Sequence, residues 1–319
     1  MPHDLVKKRL LLSLTSSAIL LGCGDGGTNP DTVATPDFRI ELVFVNHGTP
    51  GQDAAFIAAA DRWMSILGTE LPDVDFSSNP IAADKCIQGQ SAVADTVDDL
   101  RIFVDISPID GPLSTLGQAG SCQIRTISNL PVLGFLQLDA ADVARLEVDG
   151  DLADVALHEM GHVLGIGTLW NNFDTLLVNQ SEPSNAGADT HFAGAAAIAA
   201  FDASGGTTYV GGKVPVENEL GPGSSDTHWR ESALRLELMT PELSQGVGNS
   251  LSAVTIQSLA DLGYNVDPSK ADTITWTFAG PPPLAVRRGG VIDLRNDVYR
   301  GPIGVVDQNG TVIGTIPRR

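Results

Sequence analysis

The spacing of apolar residues predicts a strand, a helix and two further strands in the first half of the chain. Residues 38–45 alternate between apolar and polar positions and then become continuously apolar, as in a β-strand. Residues 53–67 instead place apolar side chains at helical spacing. Residues 100–106 and 132–138 are strongly apolar and predict two more strands. This order of elements favours an α+β fold with a twisted sheet.

The pattern changes after residue 150. A helix is predicted from residue 151 to its end at Gly165, because glycine often follows the last helical turn. A long Gly- and Asn-rich stretch follows, broken by a small-residue helix at 193–201. Another helix is predicted over residues 252–262. This part of the chain therefore consists of helices joined by long loops.

The last fifty residues indicate a small β-rich tail. Apolar runs at residues 274–278 and around Ile292 and Val305 favour strands, and Asp307-Gln308-Asn309-Gly310 is typical of a hairpin turn. Together these patterns predict the following organisation: a signal peptide (1–22), a flexible tether (23–37), an N-terminal α+β subdomain (38–150), a helix-and-loop subdomain (151–270) and the β-rich tail (271–319).

The N-terminus has the pattern of an export signal. Basic residues 7–9 precede apolar residues 10–21, a run too short to span a bilayer. The run ends in Leu20-Leu21-Gly22-Cys23, which resembles the lipobox of bacterial lipoproteins. That resemblance implies cleavage before Cys23, lipidation of its thiol, and a protein held in the bacterial cell envelope through this lipid alone. The alternative is a hydrophobic N-terminal helix with a buried cysteine.

Composition narrows the choice of partners. The chain is 42% hydrophobic, enough for a packed core, and its 19 Lys+Arg against 39 Asp+Glu give a net charge of −20. Because nucleic-acid affinity comes largely from basic residues, we expect no nucleic-acid partner. Lipidation of Cys23 would leave two cysteines, so an oxidising compartment predicts a Cys86–Cys122 disulfide; two reduced, buried thiols are the alternative.

The sequence His158-Glu159-Met160-Gly161-His162 is an H-E-x-x-H motif. On a helix, positions i and i+4 share one face, so both imidazoles can bind one Zn²⁺ at about 2.0 to 2.1 Å. Glu159 can then reach a zinc-bound water and act as general base in peptide hydrolysis. The motif predicts a zinc-dependent metalloendopeptidase.

A catalytic zinc site usually has a third protein ligand, and several positions compete for that role. In the compact motif H-E-x-x-H-x-x-G-x-x-H the third ligand is a histidine six residues after the second, but that position is Thr168 here. A thermolysin-like enzyme would use a later glutamate, such as Glu182. A long insertion before the third histidine leaves His191 and His228.

The long-insertion option resembles the leishmanolysin family of metzincin proteases. The resemblance rests on three segments: residues 158–165, Asp226-Thr227-His228-Trp229-Arg230-Glu231, and Glu237-Leu238-Met239-Thr240. It implies that His228 is the third zinc ligand and that Met239 forms the Met-turn, a tight turn beneath the metal. Weaker similarity extends from about residue 39 to 267, whereas the few cysteines and the tail depart from the family pattern.

The resemblance implies a metzincin-like catalytic domain, a Zn²⁺ cofactor and polypeptide substrates. Two other hypotheses for the function stay open. One is a lipid-anchored surface binding or adhesion protein on an inactive protease scaffold, although Glu159 would be needless in a purely structural site. The other is a gluzincin-type protease with a glutamate as third ligand.

Overall fold

The computed structural model describes residues 38–317 apart from 69, 113–114, 173–175, 182–187, 210, 277 and 279–289. The helices are α1 (Pro50–Met64), α2 (Ala140–Asp149), α3 (Leu152–Leu164), α4 (Ala195–Ala203), α5 (Glu231–Leu234) and α6 (Ala253–Leu262). The strands are β1 (Ile40–Asn46), β2 (Val74–Asp75), β3 (Thr96–Val97), β4 (Leu100–Ser107), β5 (Gly117–Arg125), β6 (Pro131–Asp139), β7 (Leu177–Val178), β8 (His191–Phe192), β9 (Val214–Pro215), β10 (Glu242–Ser244), β11 (Val291–Asp293), β12 (Ile303–Val306) and β13 (Val312–Ile316). The predicted α+β class is confirmed. The predicted signal peptide and tether, with Cys23, lie outside the described residues.

A six-stranded mixed sheet runs in the order β1-β4-β6-β5-β12-β13. Strands β1, β4 and β6 are parallel, whereas β5 is antiparallel to β6. Both β4 and β6 are buried along nearly their whole length, which explains their almost continuous apolar sequences. These are the strands predicted from residues 100–106 and 132–138.

Helices α1 and α3 pack together beside this sheet. Helix α1 begins with a capping box, in which Thr49 and Gln52 satisfy each other's backbone N–H groups. It buries Phe56 and Trp63, and the Trp63 indole N–H donates to the Leu157 carbonyl on α3 at 3.0 Å. The oxygen Oγ of Ser121 on β5 donates to the Val163 carbonyl of α3 at 3.1 Å. These contacts fix α3 against the sheet.

Strand β5 was not predicted. Its sequence, Gly-Gln-Ala-Gly-Ser-Cys-Gln-Ile-Arg, has few large apolar side chains, so its periodicity is weak. It is nevertheless almost entirely buried, because β6 and β12 pair with it on either side. Its Cys122 forms a disulfide with Cys86, with the two Cα atoms 5.3 Å apart.

The C-terminal region is β-rich, as predicted. Strands β12 and β13 form the expected antiparallel hairpin across the turn at residues 307–310, and β12 joins the main sheet beside β5. Strand β11 pairs with β10. The prediction of a strand at 274–278 is wrong, because the described residues of this segment form no strand. Instead, the backbone N–H of Trp276 donates to the carbonyl of Ser204, just after α4. The proposed domain boundaries stay a prediction.

Within the described part of the chain, no helix has both the length and the apolar character needed to cross a membrane.

Candidate metal centre

Two histidines lie one turn apart on α3. The helix ends at Gly165, whose φ of +114° is the left-handed conformation that favours glycine after a final helical turn. His158 and His162 are fully buried, and their Nε2 atoms are 3.1 Å apart. The side chain of Thr168, the position of a third histidine in the compact motif, instead donates a hydrogen bond to the His162 carbonyl.

His228 reaches the same point from a loop. Its carbonyl accepts a hydrogen bond from the Glu217 N–H at 2.9 Å, and the N–H of Trp229 donates to the Met239 carbonyl at 3.0 Å. These bonds hold the histidine against the end of α3, where its Nε2 lies 3.2 Å from that of His162. His228 is also fully buried. The structure therefore brings together the three histidines predicted as ligands.

The outer nitrogens of these rings face hydrogen-bond acceptors. Nδ1 of His158 lies 2.6 Å from the Leu238 carbonyl oxygen, Nδ1 of His162 lies 2.8 Å from that of Ile166, and Nδ1 of His228 lies 3.2 Å from that of Ser224. Because a carbonyl can only accept, these partners assign the proton to Nδ1 in each ring. Each Nε2 therefore directs a lone pair at the common centre.

The electrostatics of this centre favour a cation. Burial lowers the pKa of both His158 and His162, so the imidazoles are held in the neutral form that binds metals. Neutral imidazole lone pairs that face one another at 3.1 to 3.2 Å repel unless a positive ion lies between them. The residues present thus fit a metal ion.

A fourth buried group, the carboxylate of Asp297, completes the cluster. Its Oδ2 lies 3.0 Å from Nε2 of His158, 3.6 Å from that of His162 and 3.4 Å from that of His228. Zinc ligands at about 2.0 to 2.1 Å in a tetrahedron are about 3.3 Å from one another. The distances from Asp297 Oδ2 to the three Nε2 atoms, and from the His162 Nε2 to the other two, therefore all lie near the spacing expected of a tetrahedral zinc site.

Sequence reasoning missed Asp297. It lies 139 residues after His158, in the tail that was predicted only as β-rich, and its neighbours Arg295, Asn296 and Val298 form no ligand motif with it. Only the path of the tail through the tertiary structure places this carboxylate beside the histidines.

Glu159 is buried beside the cluster. Its side chain is fully enclosed, and neither carboxylate oxygen has a hydrogen-bond partner among the described residues. Burial, and then the negative charge of Asp297, raise the pKa of Glu159 well above its usual range. A buried acid with a perturbed pKa beside a potential metal centre has the properties of a general base.

Met239 packs beneath α3. A Cβ atom added to Gly161 would stand 2.7 Å from the Met239 sulfur, so the glycine allows the methionine to approach the helix. The preceding residue, Leu238, is the one whose carbonyl accepts from His158. The turn that contains Met239 thus both supports the helix and orients the first histidine.

Glu237 stabilises this turn from inside the protein. Its fully buried carboxylate accepts hydrogen bonds from the Met239 N–H, from the N–H and hydroxyl of Ser252, and from the Thr255 hydroxyl. The same Thr255 hydroxyl accepts from the Trp229 indole at 2.7 Å, next to His228. Sequence reasoning treated Glu237 only as part of a family motif and did not predict this network.

A cavity of about 820 Å³ lies next to the cluster. Its lining includes Asp226 and Thr227, which precede His228, and Asn296 and Val298, which flank Asp297. A cleft of this size beside the metal centre is large enough for several side chains of a polypeptide.

The other candidate ligands lie elsewhere. His191 is in β8, where its Nδ1 lies 2.7 Å from the Asp189 carbonyl oxygen, and it is not a member of the cluster. Glu182 lies outside the described residues. The structure therefore brings only His228 of the late histidines to the H-E-x-x-H helix.

Comparison with known proteins places the chain in a family. The family model for leishmanolysin matches residues 79–281, well over half of the chain. The chain therefore belongs to the leishmanolysin family, and the resemblance expected from the sequence is confirmed. Its mixed α+β architecture and small β-rich C-terminal region are consistent with a metzincin-like domain.

The curated relatives are distant and longer. Leishmanolysin of Leishmania donovani is 28% identical over 182 residues, which cover 56% of this chain and 29% of that protein. Leishmanolysin of Leishmania chagasi is 25% identical over 187 residues, or 58% of this chain and 30% of the relative. The chain thus spans less than a third of the length of these relatives. The family match ends at residue 281, before Asp297.

Proposed function

We propose that this protein is a zinc-dependent metalloendopeptidase, with His158, His162 and His228 as zinc ligands and Glu159 as general base. The observation that carries the proposal is the convergence of three Nε2 lone pairs beside a buried glutamate without a hydrogen-bond partner. Membership of the leishmanolysin family, a family of zinc-dependent peptidases, supports it.

The residues divide the chemistry between them. The three histidines would hold Zn²⁺, which when bound would supply a Lewis acid able to acidify water and polarise a peptide carbonyl. Glu159, next to His158 on α3, takes the proton of the attacking water and returns it to the leaving amine. The carbonyls of Leu238 and Ile166 fix two of the rings in the tautomer that presents Nε2 to the ion. The substrates are polypeptides.

Cleavage of an unfolded generic protein tests this function. The assay compares the wild type and Asp297→Ala, which removes the carboxylate from the fourth corner, each with and without Glu159→Gln. We expect Asp297→Ala to cleave the protein in a zinc-dependent manner and to stop when a chelator removes the zinc. Adding Glu159→Gln to Asp297→Ala should abolish cleavage while the zinc content stays unchanged. Zinc-loaded Asp297→Ala that cleaves nothing would contradict the proposal.

The third ligand has its own test. After dialysis, His228→Ala should contain less than one zinc ion per protein molecule by elemental analysis, because two histidines and Asp297 form a poorer site. The control, His191→Ala, should retain zinc, since that residue lies outside the cluster. Full zinc retention by His228→Ala would contradict the assignment of His228 as the third ligand.

One observation favours the alternative of a binding or adhesion protein. Structural zinc sites have four protein ligands, whereas catalytic sites keep one position open, and here Asp297 lies at the fourth corner. Against this stands Glu159, because a closed structural site does not need a buried base. Zinc-loaded variants without cleavage in the assay above would support the binding protein.

We propose further that the protein is exported and anchored in the bacterial envelope through a lipid on Cys23. The basis is the apolar segment that ends in Leu20-Leu21-Gly22-Cys23. Mass spectrometry of the mature N-terminus should find a diacylated Cys23, and Cys23→Ser should release the protein from membranes. Membrane retention of Cys23→Ser at the wild-type level would contradict the anchor.

A further inference from the structure

A C-terminal strap, residues 290–306, crosses the metal centre. On one side, β11 pairs with β10, and the Leu294 N–H donates to the Pro241 carbonyl at 2.9 Å. Since Pro241 follows the Met239 turn by two residues, the strap begins beside the turn that supports the centre. Ile292 and Leu294 are buried there, so the attachment is a packed one.

The other end of the strap covers one edge of β5. The Ala119 N–H donates to the Asp297 carbonyl at 2.7 Å, and the Tyr299 N–H donates to the Ala119 carbonyl at 2.8 Å. Beyond this bridge, β12 pairs in parallel with residues Gln123, Ile124 and Arg125 of β5. Strand β5 is itself bonded to α3 through Ser121.

This edge is where a peptide could bind next to the metal centre. An exposed strand edge binds an extended peptide through backbone hydrogen bonds, and β5 is hydrogen-bonded through Ser121 to α3, the helix that carries His158 and His162. The strap uses these backbone groups of Ala119, so a second extended segment has no access to them while the strap is in place.

The strap presents a side chain, and not a peptide bond, to the histidines. The Asp297 backbone carbonyl is engaged by Ala119, whereas its carboxylate lies 3.0 to 3.6 Å from the three Nε2 atoms. The peptide carbonyl is therefore directed away from the position where hydrolysis would occur. The strap therefore occupies the position of a substrate without presenting a peptide bond for cleavage.

We infer that Asp297 is the fourth zinc ligand and that the strap keeps this protein latent by filling both the open coordination position and the peptide-binding edge of β5. The inference rests on the proposed peptidase function, and extends it to how the site is regulated. It also accounts for a catalytic base, Glu159, next to a tetrahedron whose corners are all protein atoms. Activation then requires withdrawal of Asp297 from the ion.

The first experiment reads coordination without using activity. Co²⁺ replaces zinc in the full chain, and its visible absorption reports the ligand set and geometry. Acetohydroxamate, a small metal-binding acid, is titrated into wild type, Asp297→Ala and Asp293→Ala. Asp293 is the matched control, since it is an acid of the same strap that pairs with Arg295 and lies outside the cluster.

We expect acetohydroxamate to change the Co²⁺ spectrum of Asp297→Ala but not that of wild type or Asp293→Ala at the same concentration. We also expect the zinc affinity of Asp297→Ala, measured by competition with a chelator, to be roughly tenfold or more below that of wild type. Asp297→Asn serves as a second variant if circular dichroism finds Asp297→Ala unfolded. A wild-type spectrum as responsive as that of Asp297→Ala would overturn the inference.

The second experiment separates this inference from the proposed function. Asp297→Ala should cleave an unfolded protein at least about tenfold faster than wild type or Asp293→Ala, since only it has an open fourth position. Equal cleavage by all three would overturn latency and support the peptidase. An opened cobalt site without any cleavage would support Asp297 as a ligand and contradict the peptidase.

Discussion

Gly167 lies directly against the backbone carbonyl of Thr227. Its φ is +69°, and a Cβ atom at this position would overlap the Thr227 oxygen and carbonyl carbon. The contact joins the segment after α3 to the residue that precedes His228. The absence of a side chain at position 167 thus allows the third histidine to reach the other two.

Gly167→Ala should therefore displace His228. The added methyl group meets backbone atoms that cannot rotate away, and the positive φ is itself unfavourable for alanine. We expect a loss of about 1 to 3 kcal/mol of stability and a zinc affinity reduced roughly tenfold or more. Zinc competition and urea unfolding measure both, with Gly248→Ala as control because nothing lies within 4 Å of a Cβ there.

Gly161→Ala should disturb the contact between α3 and the Met239 turn. Overpacking a buried site of this kind costs about 1 to 3 kcal/mol. Because the atom in the way is the Met239 sulfur, at 2.7 Å from the added Cβ, the cost should fall when Met239 is also shortened. A double-mutant cycle with Met239→Ala, measured by urea unfolding, checks this coupling. Strictly additive free energies would refute the contact as the cause.

Replacing Glu237 by glutamine should destabilise the Met239 turn. The carboxylate accepts from donors on every side, so an amide NH₂ would face at least one N–H or O–H donor. We expect a loss of about 1 to 3 kcal/mol in the free energy of unfolding. Glu219→Gln is the control, since its side chain is exposed and should change stability little.

The same residue predicts a pH dependence. Burial raises the pKa of Glu237, although its hydrogen bonds oppose that change. The native state therefore holds the proton more tightly than the unfolded chain, and its contribution to stability is lost as the pH rises through the native pKa of Glu237. The stability advantage of wild type over Glu237→Gln should shrink from pH 4 towards neutral pH. If urea unfolding showed the stability advantage of wild type growing from pH 4 to neutral pH, the raised pKa assigned to Glu237 would be contradicted.

Breaking the Cys86–Cys122 disulfide should destabilise the fold. The bond closes a loop with a sequence separation of 36 residues. In the chain-entropy model a loop of this length contributes about 3 to 4 kcal/mol. The double variant Cys86→Ser/Cys122→Ser should show this loss in urea unfolding, and reducing agent should shift wild type towards the same midpoint. If reducing agent left wild type unchanged, the bond would contribute little to stability.

Local sequence determined the parts of this protein that depend on neighbouring residues. The spacing of His158 and His162 on a helix that Gly165 ends, the apolar runs of β4 and β6, and the hairpin turn at residues 307–310 follow from periodicity and turn chemistry. The family motif also indicated His228 and Met239. Each of these features has a signal within a few residues of the chain.

Tertiary structure decided the rest. Strand β5 is buried by its neighbours although its own sequence is weakly apolar, and Glu237 becomes a structural acceptor only because α6 brings Ser252 and Thr255 to it. Asp297 reaches the histidines because β11 and β12 pair with strands on the two sides of the centre. The contact of Asp297 with His158 joins residues 139 positions apart, so it depends on the folded path of the chain, which local patterns do not encode.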